Sequence, residues 1–225
     1  MSKLLISNDS RRPRRFGQFA LVALLGSAAV AGAGVTGVSG DSGAPPGTLG
    51  GYTLTQFPFV GGGISDVSSV ASPLGGPIDF SQPMSHRVIG SGWATWSHGY
   101  TGDVYYTNGS ASMSIDLVGA DAGRPGDGVG AFLFYVEPNP FTLNTFTATG
   151  TGDPGQTATV TQTAHGSAGA TWIGFYADEG KKLASVAIQG TTDFAIGEFS
   201  IAATPEPASL ALLGLGAAAV LRRRR

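Results

Sequence analysis

Short runs of β-branched and aromatic residues fill the middle of the chain, and turn residues separate them every eight to twelve positions or so. Residues 131–136 are apolar throughout, which is typical of a central strand covered on both faces. Residues 157–163 instead alternate Thr with Ala, Val and Gln, which indicates a strand with one exposed face. The pattern predicts an all-β fold, a single antiparallel β-sandwich of jelly-roll type with roughly eight or nine strands over residues 52–203.

Two further apolar segments lie near the ends of the chain, and arginines border each of them. Residues 19–30 are apolar or small and follow the basic sequence Arg-Arg-Pro-Arg-Arg at 11–15. The order basic, apolar, small is that of a secretory signal peptide, and the run is shorter than the roughly 20 residues that span a bilayer. The sequence predicts a signal peptide over residues 1–33, cleaved after Ala31 or Ala33, and the arginine pairs leave a twin-arginine export route open.

The C-terminal end has three parts in a fixed order. A Pro-Glu-Pro box at Pro205, Glu206 and Pro207 comes first, and the flanking prolines keep it extended, as a protease requires of its substrate. Residues 208–221 follow and predict a hydrophobic helix of about 21 Å, short against a hydrocarbon core of about 30 Å. Four arginines end the chain and hold that end in the cytoplasm; they are Arg222, Arg223, Arg224 and Arg225.

This tail resembles the PEP-CTERM sorting signal of Gram-negative bacteria, over residues 204–225. The resemblance implies export by the secretion machinery and processing near the box by exosortase, a membrane transpeptidase-like protease. It also implies transient or retained anchoring in the inner membrane, followed by a location at the cell surface or outside the cell. Exopolysaccharide is an implied partner, because this route is associated with bacteria that make it. The same segment is also called an ice-binding protein C-terminal domain, a label that demonstrates no affinity for ice.

Charge is segregated along the 225 residues. Nine of the 13 basic residues lie before residue 16 or after residue 221, whereas 13 of the 15 acidic residues lie between 34 and 204. That body carries about nine negative charges in excess, so it repels nucleic acid. The chain contains no Cys, which excludes disulfides and Cys-ligated zinc, and its length suits one sizeable domain. Residues 34–51 are almost entirely small and turn-forming, which predicts a flexible linker before the sandwich.

The sequence offers few groups for catalysis or metal binding. His86, His98 and His165 are far apart, and neither Gly-x-Ser-x-Gly nor His-x-x-x-His occurs. Several acidic residues fall at predicted strand ends without the Asp-x-Asp-x-Asp-Gly pattern of a calcium loop; they are Asp121, Asp127, Asp178, Glu179 and Asp193. We interpret these as surface histidines and solvated turn acids, and we expect no enzymatic activity, metal or cofactor.

Two groups of residues suggest binding surfaces. Trp93, Trp96 and Tyr100 form an aromatic cluster of the kind on which sugar rings stack, although core packing explains most such rings. The odd spacing of Trp93 and Trp96 would place them on opposite faces of one strand. Threonine rows at 145–151 and 157–163 could stand side by side across a turn, as an ice-binding surface would need, although Thr also favours strands.

These observations predict an exported structural or adhesive protein of the cell surface or matrix. A carbohydrate-binding module acting on exopolysaccharide, with Trp93, Trp96 and Tyr100 as its ligand-binding residues, is the alternative. A hydrolase whose site residues converge from separate strands is a more remote alternative.

Overall fold

The computed structural model describes residues 34–121, 128–178 and 180–204. Within these ranges every regular element is a β-strand, which confirms the all-β expectation. The described part of the chain has no helix that is long and apolar enough to cross a membrane. The predicted signal peptide and C-terminal helix lie outside the described residues, as do Ala31, Ala33, the Pro-Glu-Pro box and the terminal arginines.

The strands are numbered in chain order. They are β1 (Val35–Ser39), β2 (Thr48–Leu49), β3 (Tyr52–Thr53), β4 (Thr55–Gln56), β5 (Ser65–Ala71), β6 (Pro77–Ile89), β7 (Gly92–Trp93), β8 (Asp103–Tyr106), β9 (Ser112–Asp116), β10 (Val129–Pro138), β11 (Leu143–Asp153), β12 (Thr157–His165), β13 (Thr171–Ala177), β14 (Lys182–Gly190) and β15 (Phe194–Ala203).

Six strands close into a barrel, and this corrects the predicted jelly-roll sandwich. Antiparallel pairing runs through β10, β15, β8, β6, β9 and β14, and β14 returns to β10 through the pair Val129 and Leu183. Strands β13 and β1 extend the sheet beyond β10, and β11 and β12 extend it beyond β14. Sandwiches and barrels share the same strand lengths and alternation, so strand spacing cannot reveal a closure that depends on one residue pair.

Strands β10 and β15 pair with each other and are buried on both faces. Phe132 and Phe134 of β10 belong to the main hydrophobic core, whereas Leu133 and Tyr135 belong to a second buried cluster on the opposite face. This explains the unbroken apolar run in the sequence, because alternate side chains face different apolar layers.

The first part of the predicted linker is a strand. Val35–Ser39 pairs antiparallel with β13, and Val35 is buried. A Cβ atom at Gly37 would lie 2.6 Å from Val160 of β12, so the position requires glycine for the close approach of the two segments. Gly37 therefore reflects tight packing, and the prediction of a flexible linker was wrong for Val35–Ser39.

Replacing a core phenylalanine tests the importance of this packing. Phe146 of β11 is fully buried and its ring meets Phe194 edge-on at 5.2 Å, whereas Phe141 is 62% exposed. We expect Phe146→Ala to lower the free energy of unfolding by about 3–5 kcal/mol. Phe141→Ala serves as the matched control and should change it by about 0.5 kcal/mol or less. Urea denaturation of the purified protein measures both, and equal losses would contradict the assignment of the core.

Candidate functional site

A segment between β6 and β8 packs on the outer face of the β10–β15 pair. We call residues 91–102 the cover segment. Trp93 and Trp96 of this segment are 7% and 5% exposed, and they share a buried cluster with Leu133 and Tyr135. The sequence offered Trp93 and Trp96 as sugar-stacking residues only in the alternative hypothesis, and the burial of both indoles agrees with its other interpretation, core packing. Tyr100 is half-buried, and its hydroxyl donates to the carbonyl of Asp103.

Glu137 of β10 lies beneath the cover segment and is fully buried. The indole Nε1 of Trp93 donates to its Oε2 at 2.7 Å, and the hydroxyl of Thr95 donates to its Oε1 at 3.2 Å. Burial raises the pKa of Glu137, although these bonds and two backbone N–H groups at residues 168 and 169 act in the opposite direction. The carboxyl group thus supplies the hydrogen-bond acceptor that a buried indole N–H requires.

Glu198 of β15 is the second buried carboxylate, and a β-bulge directs it to the cover segment. Two residues of β15, Glu198 and Phe199, lie opposite the single residue Phe134 of β10. The extra residue lets Phe199 return to the core while Glu198 faces outwards. Its carboxylate accepts from Trp96 Nε1 at 3.2 Å and lies 2.8 Å from His98 Nε2. Burial raises the pKa of Glu198, and the histidine and the indole oppose that effect.

The His98–Glu198 pair joins two residues with unusual backbones. His98 has a φ of 39° and Glu198 a φ of 50°, a left-handed conformation that residues other than glycine rarely adopt. Such strain persists only where surrounding contacts determine it. Here the pair, the buried indole and the ring of Tyr135, 5.2 Å from that of His98, hold both backbones in place.

Ser97, His98 and Glu198 have the composition of a hydrolase triad, but the two nitrogens of the histidine are exchanged. Serine lies at Nδ1 and the carboxylate at Nε2, whereas in the Ser-His-Asp triad the serine lies at Nε2. Ser97 Oγ lies 3.0 Å from His98 Nδ1, and the same nitrogen lies 3.2 Å from the carbonyl of Ser42. Ser97 is buried, with only 2% of its surface exposed. The three residues connect the cover segment to β15 and to the loop after β1.

A second histidine–carboxylate pair joins β6 to β8. His86 Nε2 lies 2.8 Å from Asp103 Oδ1, and the Asp103 carboxylate also accepts from the backbone N–H groups of Val60 and Gly61. Both side chains are buried. His86 and Tyr105 border a mainly apolar cleft of about 360 Å³ against the glycine-rich segment 60–63. Asp103 therefore fixes this segment against the barrel.

The remaining candidates are scattered. His165 is exposed at the end of β12, and Asp193 accepts hydrogen bonds from Tyr106, Asn139 and Thr192. Asp127 and Glu179 lie outside the described residues. Among the described side chains, no three His, Asp or Glu residues lie close enough together to hold a metal ion.

The two threonine rows do stand side by side, which confirms their predicted pairing. Each threonine of β11 lies opposite one of β12, with Thr149 paired to Thr159 and Thr147 to Thr161. The first pair brings its hydroxyl oxygens to 3.1 Å and the second to 3.5 Å. Strands β14 and β9 continue the same exposed surface. We call this surface the threonine face; its outward residues are Thr145, Thr147, Thr149, Thr151, Thr157, Thr159, Thr161, Thr163, Ser185, Ala187, Gln189, Ser112, Ser114 and Asp116.

Sequence reasoning missed Glu137 and Glu198. Each acidic residue lies at the end of, or within, an otherwise apolar strand, and this was the available signal. A buried carboxylate in such a position requires hydrogen-bond donors from another segment of the chain. The donors themselves, two tryptophans and a histidine some 40 to 100 positions away, could be identified only from the fold.

Comparison with known proteins identifies the C-terminal end. Residues 203–225 match the family model of the PEP-CTERM protein-sorting motif, which confirms the resemblance of the tail. The motif indicates an exported protein that is processed by exosortase in a membrane-associated sorting step. No curated protein and no solved structure matches the chain. The match begins at the last residue of β15, so the motif follows the barrel directly.

The buried Glu137 predicts a pH dependence of stability. Because burial raises its pKa, the folded state retains the proton at pH values where the unfolded state, with a pKa near 4.3, has lost it. The free energy of unfolding therefore falls as the pH rises from about 4.3 to the raised pKa. Above that pKa the effect of Glu137 on the free energy of unfolding no longer changes with pH. Glu137→Gln keeps an acceptor for Trp93 but cannot ionise, so its urea unfolding free energy should vary less over this range.

Asp66→Asn is the matched control for this experiment. Asp66 is an exposed carboxylate, and asparagine preserves an oxygen that can accept its contact with Asn108. We expect the control to keep the wild-type pH profile between pH 4 and 8. If Glu137→Gln also kept the wild-type profile, the buried carboxyl group would not be the source of the dependence.

Proposed function

We propose that this chain is a structural or adhesive protein of the cell surface or extracellular matrix, and that it is not an enzyme. The observation that carries the proposal is the sorting motif at residues 203–225, which directly follows the last strand of a barrel. Export delivers the barrel to the outer side of the membrane, and processing near Pro205, Glu206 and Pro207 releases or displays it there.

The position of the motif in the fold supports a structural role. The motif extends from β15, which pairs with β10 on one side and with β8 and β4 on the other. After β15, Thr204 also exchanges hydrogen bonds with Gly128. Attachment at the C-terminus would therefore transmit load to a strand that is hydrogen-bonded on both sides, rather than to a peripheral strand that separates from the sheet easily.

The use of the ionisable groups also favours a structural protein. His86 and His98 each bind a buried carboxylate, and each pair holds a loop segment against the barrel. Glu137 likewise accepts from Trp93 and Thr95 of the cover segment. These groups are engaged in connecting elements, so they are poorly placed to act on a substrate. Carbohydrate binding through Trp93 and Trp96 is disfavoured, because both rings are buried.

Replacing the Pro-Glu-Pro box tests the sorting step. The full chain with Pro205→Ala, Glu206→Ala and Pro207→Ala should accumulate as membrane-associated precursor in cells that contain exosortase, because the extended recognition box is lost. Cell fractionation and mass spectrometry of the mature C-terminus measure this. Pro73→Ala, in an exposed turn of the barrel, is the control and should be processed normally. Normal processing of the triple variant would contradict the proposal.

Complementation with histidine variants tests the absence of catalysis. We expect cells that lack the protein to show weaker matrix cohesion, measured as detachment under shear. Chains with His86→Asn or His98→Asn should restore cohesion in proportion to the amount of folded protein on the cells, because the imidazoles contribute stability rather than chemistry. A folded variant that is displayed at the wild-type level but restores nothing would point to an enzyme instead.

A further inference from the structure

We infer that the threonine face binds a neutral polysaccharide and is the adhesive surface of the protein. The inference rests on the proposed surface or matrix function and adds to it the site and the chemical class of the partner. It depends on the composition of the face, its regular geometry and a polar depression over β14 and β9.

The composition of the face sets it apart from the rest of the body. Only one of its fourteen outward residues is charged, Asp116 at the end of β9, although residues 34–204 carry 13 acidic and four basic side chains. Twelve of the fourteen bear a hydroxyl or an amide, and both groups donate and accept hydrogen bonds. A partner that also presents both donors and acceptors, and no charge, is complementary to such a surface.

The geometry of the face is periodic. Neighbouring strands of a sheet lie about 4.7–4.9 Å apart, and alternate residues on one strand lie about 6.6–6.8 Å apart. The eight threonines of β11 and β12 occupy four consecutive cross-strand pairs of this lattice. Threonine is stiff about χ1, and the hydroxyls of Thr149 and Thr159 are already in contact, so binding orders few side chains. A repeating partner can use the same contact several times.

A depression of about 400 Å³ lies where β14 crosses the face. Ala187 has the smallest side chain of the face, and its position between longer neighbours leaves this space open. Thr147, Thr149 and Gln189 border the depression on one side, and four polar residues border it on the other: Ser112, Ser114, and Ser81 and Gln82 of β6. Its volume lies in the range of small-ligand pockets, which is about 300–1,000 Å³, and its polar border suits one sugar ring.

Other classes of partner fit less well. Protein interfaces depend on a few large anchors, typically Trp, Tyr or Arg, and the face presents none of these. A nucleic acid or an acidic polymer requires cations, which the face lacks, and the excess of acidic residues elsewhere repels both. Individual hydroxyl contacts are weak, so a long neutral chain that engages many of them is the partner that gains most from multivalency.

Co-sedimentation with insoluble cellulose and affinity electrophoresis in dextran test the inference, with alginate as an acidic comparison. The exported, purified protein should bind at least one of the two neutral glucans and should not bind alginate. A variant with Thr147→Val, Thr149→Val, Thr159→Val and Thr161→Val keeps the β-branched shape and loses four hydroxyls. It should bind at least about tenfold more weakly, since the lost contacts act together along the chain.

Matched variants separate binding from folding. Thr53→Val with Thr55→Val changes two exposed threonines outside the face and should leave binding unchanged. Ala187→Lys fills the depression, keeps the surface polar and should also weaken binding at least about tenfold. Each variant should retain the wild-type midpoint of urea unfolding. Ala187→Lys replaces the four-valine variant as the deciding measurement if the latter does not fold.

Several results would overturn the inference. The first is a failure of the wild-type protein to bind either neutral glucan. The second is binding by the Ala187→Lys variant that is as strong as binding by the wild type, and the third is binding of alginate that is as strong as binding of the glucans. Shaping of growing ice crystals that is lost with the four hydroxyls, without glucan binding, would identify ordered water as the partner and overturn it as well.

Different results would contradict the binding role of the threonine face and the proposed adhesive function. If face variants bind no glucan in vitro but are still retained in the matrix and restore cohesion, another surface is adhesive and the proposed function stands. If the wild-type protein binds a neutral glucan but cells that lack it have normal cohesion, the face is correctly assigned and the adhesive function is wrong.

Discussion

The burial of β10 and β15 on both faces determines most of this structure. Antiparallel sheets usually have one face in solvent, but here the central pair is apolar on both sides and requires a second layer. The cover segment supplies that layer with Trp93 and Trp96. Each indole brings a buried N–H group that requires an acceptor, and Glu137 and Glu198 provide those acceptors from the strands themselves. The carboxylates are thus a consequence of covering the outer face with tryptophan.

The features of the fold that the sequence predicted are those that depend on local alternation. The apolar run of β10, the half-exposed strand β12 and the pairing of the two threonine rows all follow from side chains alternating between two faces. The sorting motif was equally local, because its three parts are adjacent in the chain.

The features that the sequence did not predict depend on contacts between distant residues. Barrel closure depends on Val129 and Leu183, and the bulge that directs Glu198 outwards depends on its register against β10. The buried indoles of Trp93 and Trp96 donate to acceptors that lie 44 and 102 positions away. The misassigned β1 has a related cause, because glycine favours flexible segments and close packing alike, and only the partner strand distinguishes the two.

The threonine face and the core are two sides of the same strands. In β11, the outward threonines alternate with Phe146, Ala148, Gly150 and Gly152, which face inwards. A Cβ at Gly150 would lie 2.5 Å from Phe175 of β13, and one at Gly152 would lie 2.5 Å from Val35 of β1. The glycines therefore let β1 and β13 pack closely behind the face, because no side chain separates the layers. Two strands outside the six-stranded barrel thus support the face from behind, and the threonine hydroxyls gain a rigid base.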